Sequence, residues 1–342
     1  MDDVRASIDR IAAETGFSGA VRIDRGDEAL LVAAYGEADR AHGIANAVDT
    51  QFAIASGGKG LTALAVVALI DDGVLEWSTT ARSLLGSDLP LIDDAVTVEH
   101  LLAHRSGIGD YLDEEDDRPV TDYVLDVPVH RLASTEDYLA VLAGRPMKFR
   151  PGERFSYCNG GFVVLALLAE RASGTAFHEL VLRRVCEPAG MADTAFLRSD
   201  ELPGRAAIGY LSAGGSRTNV LHLPVVGGGD GGIYSTVADV RALWTAFVHG
   251  RVVSPASVAA MVRPRSDVPP GRARYGLGFW LAASGSGVEL EGYDAGVSFR
   301  TVHDPSSDLT HTVVSNWSDG AWPMAKHVAE RFGRSGATPA TT

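Results

Sequence analysis

Sulfur, net positive charge and long apolar runs are all scarce in this chain. Its 342 residues include two cysteines, Cys158 and Cys186. Two thiols make no disulfide framework, so a sulfur-stapled secreted scaffold is excluded and a reducing compartment is expected. Lys and Arg number 30 against 44 Asp and Glu, a formal net charge of −14. Nucleic acid demands a basic surface to release its counterions, and anionic lipid attracts the same kind of surface, so neither is an expected partner. The longest apolar run, Leu61 to Ile70 broken by Thr62, is about half of the roughly 20 residues that cross a bilayer. The opening stretch MDDVRASIDRIAAETG reads as an acidic amphipathic helix and lacks the basic start and apolar middle of a signal peptide. The expected location is therefore cytoplasmic, with no membrane segment. Apart from a frayed tail, GRSGATPATT, no segment is low in complexity, and no internal repeat is visible.

A hydrophobic fraction of 46% is enough for one large core. Alternating runs SGAVRID and EALLVAAYG, joined by RGDE, predict a hairpin near the N-terminus. Helical patterns fill the middle, several opening on Ser or Thr and closing on Gly. Strand patterns return with RYGLGFWLAA, GVELEGYD, SFRTVHD and THTVVSNW, and WPMAKHVAERF predicts a closing helix. The fold class expected is α+β, with one antiparallel sheet built from both ends of a single domain, 1–342. Its lobes are expected at about 1–60 plus 270–335 for the sheet and 61–269 for the helices, with the site in the groove between them.

Three stretches carry chemistry. In FAIASGGKGLTALAVVALIDDG, Ser56 and Lys59 lie three apart at the head of an apolar helix, which brings ammonium and hydroxyl together. A serine needs a base to become a nucleophile, and lysine serves only if burial and the positive helix end lower its pKa. Two glycines there cost helix stability, which implies that substrate or backbone comes close. In FSYCNGGFVVLALLAERASG, Tyr157 and Asn159 precede a buried helix, with a phenol able to pass a proton and an amide able to donate and accept. Cys158 between them has no activating histidine and reads as buried filler. In LEGYDAGVSFRTVHDP a small residue beside a glycine lets a substrate lie along a strand edge.

This order resembles that of the penicillin-recognising serine hydrolases, whose signature is Ser-x-x-Lys. The chain is similar to their class C branch: class C β-lactamases, low-molecular-weight penicillin-binding proteins, D-aminopeptidases and family VIII esterases. The likeness extends through TVEHLLAHRSGIGDY and GGIYSTVADVRAL. It implies a β-lactamase/transpeptidase-like fold and a metal-free, cofactor-free hydrolase working through an acyl-enzyme. Ser56 would be the nucleophile, Lys59 its base and Tyr157 a proton relay, with Asn159 orienting the acyl chain. The oxyanion hole would combine the N–H groups of Ser56 and Gly296. The third-motif triplet, a substrate-binding element, falls on Tyr293, Asp294 and Ala295, where the family has Lys-Thr-Gly or His-x-Gly. Losing that cation disfavours anionic penicillins unless Arg300 replaces it. The expected substrate is a small neutral or cationic ester or amide. The alternatives are a β-lactamase or D-alanyl-D-alanine carboxypeptidase acting on a lactam or D-peptide, and a non-catalytic ligand-binding or sensor homologue.

Other signals point to structure. His100 and His104 have zinc-pair spacing without the glutamate that metalloproteases add, so both are expected to be structural. GGGDGG reads as a loop passing near the site, and no Gly-x-Ser-x-Gly elbow occurs. The acidic stretch DYLDEEDDRPVTDYVLDVP reads as a solvated loop or an acidic lid.

Overall fold

In the computed structural model, residues 2–332 are described apart from 116–117, 267, 269–273 and 284. The tail GRSGATPATT and part of the acidic stretch lie outside the described residues. Helix α1 (Asp2–Thr15) leads into the hairpin β1 (Gly19–Arg25) and β2 (Glu28–Tyr35). The later strands are β3 (Arg274–Tyr275), β4 (Trp280–Leu281), β5 (Val288–Asp294), β6 (Val297–Asp304) and β7 (Leu309–Ser315). They form one seven-stranded sheet in the order β2-β1-β7-β6-β5-β4-β3, and every pairing is antiparallel. The N-terminal hairpin joins the C-terminal meander through β1 and β7, with Val21 opposite Val313. RYGLGFWLAA was expected as one strand; two short strands form instead. Between them Gly278 takes φ +86°, a region an L side chain rarely enters.

Alternation sorts each strand's side chains onto two faces. On one face Val21, Ile23 and Val313 pack beneath α1 and the closing helix, Ala321–Phe332. On the other, Leu290, Phe299 and Val314 meet the main core. That core contains α2 (Gly58–Asp71), α3 (Asn159–Ser173) and α4 (Val237–Val248). Residues 58–69 of α2 are buried all round, the pattern of a helix enclosed by protein. Among the described residues no single helix is long and apolar enough to cross a membrane.

The two helix-head glycines are explained by neighbours. A Cβ on Gly57 would lie 2.5 Å from Cε1 of Phe299, and one on Gly58 would lie 3.2 Å from Cα of Gly231. What comes close is a sheet side chain at Gly57 and the backbone of a crossing loop at Gly58, the second being the backbone approach expected from the sequence. The glycines let the helix head sink onto β6 and so set the depth of Ser56.

Candidate active site

Ser56 lies in a single tight turn, Ala55–Gly57, that feeds directly into α2. Ala55 just before it takes φ +44°, a strained conformation for a residue with a Cβ and one that clusters at functional sites. One turn on, Lys59 is 2% exposed. Its Nζ donates to Ser56 Oγ at 2.8 Å, Asn159 Oδ1 at 2.7 Å and the Asp230 carbonyl at 2.7 Å. The aromatic face of Tyr157 lies 5.0 Å from the same nitrogen. Burial pushes the Lys59 pKa down, partly opposed by Asp230, Glu114 and Asp110. A neutral amine has two hydrogens and one lone pair. Once the amine is uncharged, its two hydrogens can serve Asn159 and Asp230, which leaves the lone pair to accept from the serine hydroxyl.

Tyr157 and Asn159 flank the start of α3, where the backbone must find partners for unpaired N–H groups. Asp110 supplies them. Its carboxylate accepts from the N–H of Gly160 at 2.8 Å and from that of Asn159. Burial raises Asp110 to about 6 against these bonds. The Asn159 side chain also donates to the Leu112 carbonyl at 2.9 Å, so its oxygen is aimed at Lys59. Tyr157 interacts with the Ser56 hydroxyl, and burial holds its phenol well above 10, so it carries a proton at neutral pH.

The cavity beside Ser56 is walled by Tyr111, Glu114, Asn159, Asp230, Tyr293 and Asp294. Burial raises Asp294 to about 7, with Asp230 adding to the shift. Burial also raises Asp230, which accepts from the Tyr111 hydroxyl. Arg300 does not restore a cation here. It shares a sheet face with Glu291, opposite Phe299 and Ser56, and donates to Glu289 at 2.8 Å.

The structure therefore gathers Ser56, Lys59, Tyr157 and Asn159 into one cluster, with Tyr293 and Asp294 on the cavity wall. It does not bring Ala295 or Gly296 there. Ala295 is 1% exposed, with its carbonyl bonded to Asn219. The Gly296 N–H donates to Ser318 Oγ at 2.9 Å. That corrects the expected oxyanion partner, because a donor already spent in a hairpin turn is not open to a substrate. The part of β5 that meets Ser56 lies upstream. A Cβ on Gly292 would stand 3.0 Å from the Ser56 nitrogen and 2.2 Å from the Ile54 carbonyl. In the β5–β6 ladder, Asp294 pairs with Val297 around a two-residue turn, so bonded and unbonded pairs alternate from there. Gly292 then bonds across to Phe299, whereas the ladder phase turns the Tyr293 N–H away from β6.

Sequence reasoning missed Asp110, Tyr111, Asp230 and Gly292. Asp110 and Tyr111 lie in the acidic stretch and Gly292 in LEGYDAGVSFRTVHDP without a role being read for them, and the GGGDGG loop that holds Asp230 reads only as a segment near the site. Its use of a backbone carbonyl on Lys59 has no residue signature. His100 and His104 are not paired: the Nδ1 of His100 accepts from Thr97, and that of His104 from Cys158. Among the described residues no group of three potential metal ligands is assembled.

The family model described as Beta-lactamase matches residues 4–332. The chain belongs to this family. It is 34% identical to a penicillin binding protein from Bacillus halodurans, whose crystal structure superposes with a TM-score of 0.89 over 95% of this chain and 100% of that one. It is 33% identical to esterase EstB of Burkholderia gladioli over 60% of this chain and 53% of that protein. It is 26% identical to a D-aminopeptidase of Brucella anthropi over 91% of this chain and 58% of that one. The chain thus spans little more than half of these two curated relatives.

Proposed function

We propose that the protein is a serine hydrolase that forms an acyl-enzyme on Ser56. The observation that carries this reading is the Lys59 cage: a buried amine 2.8 Å from the serine hydroxyl, held by two further acceptors. The uncharged amine takes the Ser56 proton as Oγ attacks the carbonyl carbon. Oxyanion charge falls on the N–H groups of Ser56 and Tyr293. The lysine proton passes through the Tyr157 hydroxyl to the leaving alkoxide or amine, and water then releases the acyl group by the same route reversed. Asn159 keeps the amine aligned.

The wall favours small esters or amides that carry a neutral or ammonium group. Asp294, Asp230 and Glu114 surround the cavity, whereas position 293 holds a phenol in place of a cation. With Asp294 near 7, an ammonium substrate meets more carboxylate as pH rises. KM for D-alanine p-nitroanilide should fall between pH 6 and 7, below the range in which the substrate's own α-ammonium loses its proton at about 7.7–8, while KM for its N-acetyl form stays flat. Asp294→Asn should raise the first by about 10-fold, the worth of one charge pair of roughly 1.4 kcal/mol. An equal change for both substrates would remove Asp294 from recognition.

The direct test is labelling with a fluorophosphonate, read by intact mass and peptide mapping. One adduct on Ser56, absent from Ser56→Ala, is expected. An equal adduct in the variant sinks the assignment. Penicillin and nitrocefin in the same assay test the lactam alternative. An inert Ser56 beside a lysine of ordinary pKa would favour a non-catalytic binding protein.

A further inference from the structure

The proton path above leaves out His104, yet this residue grips the segment that carries Tyr157. It follows the short helix Val98–Leu102 and is 1% exposed. Its backbone takes φ +53°, which swings its carbonyl onto the N–H of Ser156 at 2.9 Å. Its Nδ1 accepts from the N–H of Cys158 at 3.0 Å. Between these bonds its ring lies against Tyr157, with centroids 4.2 Å apart and planes inclined at 32°. Phe162 at 4.9 Å and Tyr275 at 4.8 Å enclose it from other sides.

We propose that His104 is a positioning residue for Tyr157: one side chain and its carbonyl fix Ser156, Tyr157 and Cys158 together, and so hold the phenol hydroxyl on Ser56. The role rests on the acyl-enzyme reading. Because Nδ1 accepts, the neutral ring carries its proton on Nε2, and that nitrogen is buried with no hydrogen-bond partner among the described residues. A hydrocarbon side chain would fill the space without stranding a polar atom. It could not receive the Cys158 N–H, the last backbone donor before Asn159. Among the described residues, Lys59 from α2, Tyr157 and Cys158 from the gripped segment and Tyr275 from β3 are the titratable groups facing the ring. Burial and the Lys59 charge both push its pKa well down. Protonation would remove the Nδ1 acceptor and set a second cation near Lys59.

Two substitutions separate the contacts. His104→Asn tolerates the left-handed backbone and keeps an acceptor near Nδ1, but removes the ring. His104→Phe keeps a ring and loses the acceptor. With an aminoacyl p-nitroanilide, kcat should fall roughly 10-fold in the first and 100-fold in the second, with KM within about twofold, because a misplaced catalytic group costs turnover. In a Tyr157→Phe background the same changes should cost less than about twofold more, since their effect runs through the lost hydroxyl. Additive losses in that background, or wild-type kcat in both variants, would overturn the positioning role. Should the variants not fold, nitrogen NMR of the wild-type ring decides. A constant Nε2–H tautomer from pH 5 to 9 is expected, and an Nδ1–H tautomer or a titrating ring overturns the role. Fluorophosphonate labelling of the wild type keeps the failures apart. An inert wild type overthrows both ideas, whereas a labelled wild type with additive losses overthrows this one alone.

Discussion

Ser56→Ala and Lys59→Ala should each lower kcat toward an aminoacyl p-nitroanilide by about four to six orders of magnitude, and the double variant no further. The two groups act as one device. Without the hydroxyl there is no acyl acceptor; without the amine the hydroxyl keeps its proton. Lys59→Arg separates base catalysis from charge. A guanidinium stays protonated in proteins, so arginine would keep the cation and lose the base. It should be as inactive as alanine; activity within about 10-fold of wild type would make Lys59 an electrostatic group instead. The pH profile follows from the same burial. Because the ammonium is disfavoured in the fold, Lys59 loses its proton below the ordinary lysine value of 10.5. The rate should rise with pH as the free amine accumulates, with its midpoint below that value, and Lys59→Ala should erase this limb.

Gly292→Ala is the second large effect. Its Cβ would meet the Ile54 carbonyl at 2.2 Å and the Ser56 nitrogen at 3.0 Å. These are backbone atoms of the turn that carries the nucleophile, so no side chain can swing aside. Either β5 or the Ser56 turn must retreat, and both proposed oxyanion donors lie on those two segments. A shift on the order of 1 Å predicts a loss of about 100-fold in kcat/KM. Overpacking should also lower unfolding stability by roughly 1–3 kcal/mol, read from urea transitions. A variant that is destabilised but unchanged in kcat/KM would show that this contact matters for packing alone. The fluorophosphonate label should slow in parallel with ester turnover, because both reactions place a developing oxyanion at the same donors.

The family likeness followed from local spacing. Ser56 and Lys59 share a helix face because three residues make almost one turn, and residues 58–69 are apolar because the helix is enclosed. Tyr157 and Asn159 stand at the mouth of a second buried helix for similar reasons. Alternation announced the edge strand of the terminal hairpin, where burial alternates along Glu28–Tyr35, whereas β-branched and apolar content announced Leu309–Ser315, buried throughout its length. None of this required knowing which strand pairs with which. The oxyanion partner did. Gly296 looked suitable as a glycine after the triplet, but ladder phase decides which N–H points outward. That phase follows from the pairing of Asp294 with Val297.

What the sequence determined by itself is therefore the chemistry that neighbouring residues can write: a serine, a lysine one turn away and a tyrosine ahead of a buried helix. Tertiary structure alone decided the groups that aim and charge that chemistry. Asp230 offers a carbonyl from 171 positions away, and Asp110 holds the N-terminus of α3 from 49 away. His104 clasps the Tyr157 segment with a ring nitrogen and a carbonyl, and Gly292, having no Cβ, leaves room for the Ser56 turn. These contacts pair backbone groups with partners distant along the chain. Any residue offers the same N–H and C=O, so only the fold can say which ones meet.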